Sequence, residues 1–470
     1  MRKYGVLLLL AASMCCWGQR LRVGERSSGM TDSINKISVG FDFVAHGETC
    51  GGGLPRSDEN TAQTEDYSHF LFGRTRIIVD YERQRVGDDT LGMTPSLQAH
   101  AVIQNKAVWG MKGNQSLNLY EAWVKMTARN GLFAQIGRVA LAYDDERIIG
   151  PNDFATAALS HDIVRVGYEG HGHKVHAILA YNQNGDNVYN GTYYDDGSQL
   201  YKSMQTIWYH YDLPKFPLGV SLLFMNLGIQ AGEYRMVGGK KVEYDSNPPA
   251  TKYQQMWGGY FNYHPKFLTL EGSYYRQTGK VVNEIKQAMP IKAWMASVKA
   301  TVKPADNYGF ELGYDHLSGD DYVPVAYGGP LVMVRHPEIG GFTPLYGSRT
   351  QFYGIMDYFY QSAYTNGFTP GLQNAFVGVF GKPIGKLDCS ATYHYLAVAT
   401  ELAQFNRTLG HSIELQASYQ FSKDISFTVG YTQMHGTETM ACLKQDGSSN
   451  RARWGWFTLA VSPSIFTTKW

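Results

Sequence analysis

The chain has 470 residues, enough for several soluble domains or one large closed barrel. Aromatics reach 14% with 33 Tyr, glycine numbers 51 and charged residues are only 18%; this suits a transmembrane barrel and fits a long soluble all-β protein less well. The net charge of +1 gives no reason to expect nucleic acid as a partner, so any useful charge is local.

Residues 1–19, MRKYGVLLLLAASMCCWGQ, read as a signal peptide: Arg2 and Lys3 lead, Val6 to Ala12 form the apolar core, and small residues follow. That run is too short to span a bilayer as a helix, and no other run approaches the roughly twenty residues needed. Residues 20–36 are expected as a short periplasmic lead-in and 37–470 as the barrel. Cys15 and Cys16 leave with the signal. Cys50, Cys389 and Cys442 remain, an odd set at spacings that match no metal motif. Cys50 and Cys442 both fall in expected outer loops, which leaves a disulfide between them open.

From Lys36 onward the period is two, not 3.6. In Gly73 to Glu82, Thr75, Ile77, Val79 and Tyr81 alternate with Arg74, Arg76, Ile78, Asp80 and Glu82. Tyr120, Ala122, Val124 and Met126 alternate with Glu121, Trp123 and Lys125. Val164, Val166 and Tyr168 alternate with Arg165 and Glu169, and the pattern recurs through Tyr308–Asp315 and Ile413–Phe421. Apolar residues out and polar residues in is the sense of a membrane barrel with a wet interior. Short turns such as Ala128–Gly131, Gly170–Gly172 and Ser422–Asp424 alternate with long polar loops such as His46–Ser68, Ala140–Ser160 and Gly436–Asn450. Bacterial barrels have short periplasmic turns, long extracellular loops and an even strand number. A simple tally of extended runs gives about nineteen, so one is surplus. Parity makes everything at about 318–370 one outer loop, so Gln351 to Tyr360 is predicted as loop despite its strand-like pattern. The count is then about 18 strands; an extra pair within Tyr322–Arg335 would make about 20. A loop this long is expected to enter the lumen or cover its mouth.

The stretch Gly137 to Asp162, GRVALAYDDERIIGPNDFATAALSHD, bridges two strands and concentrates charge. Together with Pro344–Arg349, Phe352–Gly354, Met356–Phe359, Leu409–Leu415 and Val429–Tyr431, it resembles the alginate-export family of outer-membrane porins. Val139 and Phe154 depart from the Gln and Trp of that family. The resemblance implies an eighteen-stranded barrel with a narrow, Arg-rich constriction.

Arg74, Arg76, Lys125, Arg138 and Arg165 are predicted to face the lumen as an anion-selective ladder, because Arg binds carboxylate and phosphate bidentately. The same residues could instead brace the wall through Glu82, Glu121 and Glu169. Asp144, Asp145 and Arg147 are expected in an inward segment, Tyr143 to Gly150, that pairs with the ladder; their spacing is not that of a calcium loop. Trp123 is expected inward. Acidic Asp186, Asp195 and Asp196 read as a solvated loop tip. His171, His173 and His176 lie at a tight turn, for which solvent exposure is a simpler account than metal binding. There is no nucleophile elbow and no H-E-x-x-H, so no catalytic residue, metal or cofactor is assigned.

The sequence thus reads as a channel in a Gram-negative outer membrane, with membrane lipid and a small anionic or saccharide solute as partners, monomeric or weakly oligomeric. A surface binding or adhesion barrel and a barrel hydrolase are the alternatives.

Overall fold

The computed structural model describes residues 35–52, 67–84, 95–113, 115–154, 158–183, 199–231, 234–237, 240–243, 250–282, 288–320, 322–326, 331–335, 338–356, 369–402, 405–444 and 451–470. The predicted signal peptide, the acidic tip with Asp186, Asp195 and Asp196, and the side chain of Cys442 lie outside them. Cys50 carries a free thiol.

The wall runs β1 (Asn35–Gly51), β2 (Tyr67–Arg83), β3 (Ser96–Val108), β4 (Gln115–Thr127), β5 (Leu132–Val139) and β6 (His161–Gly170). It continues with β7 (His173–Tyr181), β8 (Ser203–Asp212), β9 (Leu218–Ala231), β10 (Ala250–Tyr263), β11 (Leu268–Val282) and β12 (Ala293–Ala305, preceded by Ala288–Pro290 on the same edge). The last third is β13 (Tyr308–Leu317), β14 (Leu372–Ile384), β15 (Leu387–Ala397), β16 (Thr408–Ser422), β17 (Ile425–Gly436) and β18 (Arg451–Val461, resuming as Ser464–Lys469). Every neighbouring pair is antiparallel, and β1 pairs with β2 on one edge and β18 on the other. The result is a closed 18-strand antiparallel barrel. Closure extends to the terminus: the Asn35 and Trp470 backbones exchange both hydrogen bonds, at 2.9 and 3.1 Å.

β1 begins at Asn35, slightly before the expected boundary. Tyr322–Ala326 and Leu331–Arg335 pair only with each other, as a loop hairpin, so the count of eighteen holds and that of twenty does not. Gln351–Met356 is turn, as parity required; the rest of Gln351–Tyr360 lies outside the described residues.

The outward face is apolar and exposed along its middle, with Ile136, Leu179, Leu222, Leu312 and Val377. Aromatic residues flank it, Phe267, Tyr308 and Phe421 toward the short turns and Trp257, Tyr274 and Trp294 toward the long loops, as expected of interfacial girdles. The inward face departs from the simple polar-in rule. Toward the long loops it is apolar: Met204, Met225, Met256, Met295, Leu317, Leu372, Leu396, Leu409 and Met434 are fully buried. They form one cluster with Leu141, Tyr143, Ile148, Ile149, Phe342, Tyr346 and Tyr353 from two loops. A core of this kind exists only because chain enters the barrel and excludes water from that level.

The lipid face is tested at Leu312, at mid-strand and 56% exposed. Leu312→Arg should destabilise the folded barrel by about 2–4 kcal/mol, read as a lower denaturant midpoint in a bilayer-refolding titration, whereas Leu312→Ile leaves it unchanged.

Candidate functional site: a constriction built by two inward loops

The loop after β5 crosses the lumen. Its first half reaches one wall. The Trp208 Nε1 of β8 donates to Asp144 at 3.1 Å, and the Tyr275 hydroxyl of β11 donates to it at 3.5 Å. Arg147 donates from Nη1 to Asp315 of β13 at 2.9 Å and to the Tyr353 hydroxyl at 3.1 Å, and from Nε to Asp145 at 3.2 Å. Its guanidinium lies 4.1 Å from the Phe352 ring centroid. The second half reaches the other wall. Asp153 receives Arg74 Nη1 at 2.9 Å and Arg76 Nη2 at 2.6 Å. Phe154 packs edge-on against His46 of β1 and Trp456 of β18, at 5.0 and 5.4 Å.

The loop between β13 and β14 supplies the second piece. Ile149 and Tyr346 form a parallel bridge. Ser348 Oγ and Gln351 Nε2 donate to Glu146 at 2.9 and 3.1 Å. Gln277 of β11 clamps the Thr343 backbone through both amide atoms, at 2.9 and 3.1 Å, and Ile355 N donates to Glu414 of β16 at 2.8 Å. Among the described residues, the non-glycine residues with positive φ are Asp144, Glu146, Asn152, His171, Leu345 and Tyr353. All but His171 lie in these two loops. Left-handed backbone costs roughly 1–2 kcal/mol per residue, and it persists here because wall contacts hold each loop from both ends.

Burial raises two acids of this element, Asp144 and Glu146. Asp144 is pushed up to about 6, mainly by desolvation against its hydrogen bonds from Ser221 and Trp208. Glu146 is also raised, first by burial. Arg147 is held well above the ordinary arginine range by Asp315, Tyr353 and Asp145, against its burial.

The expected ladder resolves into separate roles. Arg74 and Arg76 do face inward and are buried, but Asp153 of the crossing loop bonds to both, and Asp42 of β1 lies 3.6 Å from Arg74. Gln104 also takes the Arg76 Nε, and Tyr120 lies under its guanidinium at 4.1 Å. Lys125 and Glu169 meet at 3.4 Å, as the bracing account expected, and His176 joins Glu169 at 3.1 Å. Glu121 accepts from the Ala140 backbone at 3.1 Å and from Trp123 Nε1 at 3.2 Å, and Trp123 stacks on His100 at 5.1 Å. Arg165 bonds to Gln135 and, at 2.9 Å, to the Tyr143 hydroxyl. Among the described residues it has no carboxylate partner.

Arg138 corrects the prediction. Its strand buries Phe133, Gln135 and Val139 and exposes Leu132, Ala134 and Ile136, so Arg138 shares the outward face. It pairs bidentately with Asp162, its register partner, at 2.8 Å twice. This outward pair marks the end of the apolar band, where charge meets headgroups and water. Strand parity carried this signal at Ile136; the charge of Arg138 misled. Lys106 was missed for the opposite reason. Register sets it beside inward Arg74, and it too has no carboxylate in contact among the described residues. Glu311 and Asp315, with His394 and Asn374, add an inward polar patch on the far wall. His173 stacks on Tyr211 at 4.2 Å, and no metal-binding group occurs among the described residues.

Two outcomes follow. Asp153→Asn leaves two buried guanidiniums with one carboxylate, Asp42 at 3.6 Å from Arg74; it should cost about 3–5 kcal/mol in unfolding experiments and shift the pore toward anions. The fold holds a proton on Asp144 to higher pH than the unfolded chain does, so the stability linked to this residue is full below about pH 4 and declines as pH rises through about 6. Single-channel anion preference should rise on acidification through that range, and Asp144→Asn should flatten the profile.

No protein-family model and no curated protein sequence matches the chain. Solved structures do. Pseudomonas aeruginosa OccK5 (OpdH) is 12% identical, covering 92% of this chain and 99% of its own, with a TM-score of 0.56. P. aeruginosa OccK2 (OpdF), solved in complex with glucuronate, is 9% identical, covering 92% and 97%, with a TM-score of 0.56. Acinetobacter baumannii OccAB4 is 12% identical, covering 91% and 98%, with a TM-score of 0.55. At these identities the likeness is one of fold: this chain is built as those eighteen-stranded outer-membrane barrels are.

Proposed function

We propose that the protein is an outer-membrane channel of porin type that passes small anionic solutes, sugar acids foremost, and carries out no catalysis. The observation that carries this reading is the constriction. Two loops are fixed across the lumen by paired charges, and among the described residues Arg165 and Lys106 are inward cations with no carboxylate in contact. A fixed guanidinium and an ammonium in a narrowed, partly dry passage favour anions, because the local dielectric is below that of water. Trp123, backed by His100, offers an aromatic face near the short-turn end for a sugar ring. The residue-level resemblance to the alginate-export family supports an acidic sugar, and a neighbour of the same fold was solved with glucuronate, a solute of that chemistry.

Planar-bilayer recording tests the reading. The folded barrel should conduct, with anions preferred. Arg165→Gln and Lys106→Gln should each reduce that preference roughly fivefold, the effect of about 1 kcal/mol per charge in a wet pore, and about thirtyfold together. Arg138→Gln should leave it unchanged. Unaltered selectivity in the double variant removes the anion assignment; absence of conductance from inserted, folded protein turns the reading toward a surface binding barrel.

A further inference from the structure

The wall carries a second polar feature that the channel does not use. Trp294 and His316 lie outward on β12 and β13: each alternates with fully buried neighbours, Met295 and Leu317, and shares a face with exposed Val298, Leu312 and Tyr314. Their rings stack at 4.6 Å with an 18° tilt. Just beyond them, at the long-loop rim, opens a groove of about 610 Å³ lined also by Lys292, Glu338, Glu401 and Arg407. Lys292 Nζ is 2.8 Å from Glu338 and Arg407 Nη2 is 3.0 Å from Glu401. Both cations are substantially exposed.

We infer that this groove holds the phosphorylated sugar headgroup of a glycolipid in the outer leaflet. Three observations converge. The groove sits at the top of the apolar band, so a lipid whose tails lie on Val298 and Leu312 brings its headgroup to the groove. A flat aromatic pair presents the face that a sugar ring covers. Two cations line the groove, and their present partners are Glu338, part-exposed, and Glu401, nearly fully open to water, where attraction is weak; a phosphate, with more charge and three acceptor oxygens, displaces them or shares the cation. Farther round the same rim the outward face stays aromatic and then cationic: His411 stacks on Tyr393 and His435 at 5.9 and 5.4 Å, and the guanidinium-bearing Arg451 follows as the register partner of His435. The inference rests on the outer-membrane placement and not on what the pore conducts.

Native mass spectrometry of the full-length barrel in detergent, titrated with lipid A bearing both phosphates, tests it. Lipid A should be retained, and Lys292→Gln/Arg407→Gln should weaken retention by about tenfold or more. Phosphate-free lipid A should bind the natural protein as weakly as the variant binds the intact lipid. Trp294→Leu should weaken both lipids. Soluble glucosamine 1-phosphate should not compete at equal concentration. Heat-modifiable gel mobility and unchanged conductance verify that each variant is folded. Equal retention by the double variant, equal binding of phosphate-free lipid, or full competition by the soluble sugar phosphate overturns the proposal; the last would reassign the groove to a free sugar phosphate.

Discussion

A chain that crosses hydrocarbon by strands has to satisfy every backbone N–H and C=O within itself, since no solvent there accepts or donates a hydrogen bond. The pairing of β1 with β18 meets that demand by leaving no open edge. Everything else in the protein inherits from closure. Once the sheet has an inside and an outside, period-two alternation sends every other residue to lipid, and charge is tolerated only inward or at the rims. Arg138 and Asp162 illustrate the rim: they face outward, but as a bidentate pair at the end of their strands. Arg74 and Arg76 illustrate the interior, where they are buried and doubly bonded.

The interior also divides by level. Toward the long loops, methionines and leucines of nine strands meet the apolar residues of two loops in one dry cluster. Below it the lumen is polar, with Lys125, Glu169, His100 and Trp123. The crossing loop joins these levels, its apolar residues in the cluster and its acids on the walls. Buried ion pairs of this kind contribute little net stability over apolar packing, yet breaking one is costly. They therefore select a single loop geometry out of many with similar burial. The cluster of left-handed residues, Asp144, Glu146 and Asn152, is consistent with that: the backbone follows where the charges are anchored.

How much of this was readable from sequence depends on the range of the interaction. Alternation in β2, β4 and β16 is local, and it told which residues of those strands face outward except Tyr120, which an irregularity in the β3–β4 register turns inward beneath Arg76. Parity is global but simple, and it turned Gln351–Met356 into loop correctly. The inward entry of Tyr143–Gly150 was legible from its charge and its position between strands. Partners were not. The bracing account offered Glu82, Glu121 and Glu169 as mates for the ladder, whereas Asp153 reaches Arg74 and Arg76 from a loop more than seventy residues away. Arg138 went astray because chemistry was allowed to outvote strand phase. The apolar upper lumen was invisible because inward methionines have no meaning until a second element is known to cover them.

Phe154 touches His46 on the first strand and Trp456 on the last, at the seam where the barrel shuts. Those two rings come together only after the termini have found each other across the whole chain, the contact with the greatest sequence separation and the slowest to form. The crossing loop thus has no complete seat in any open intermediate. During assembly the passage narrows last, and the seated Phe154 acts as a record that the seam has closed.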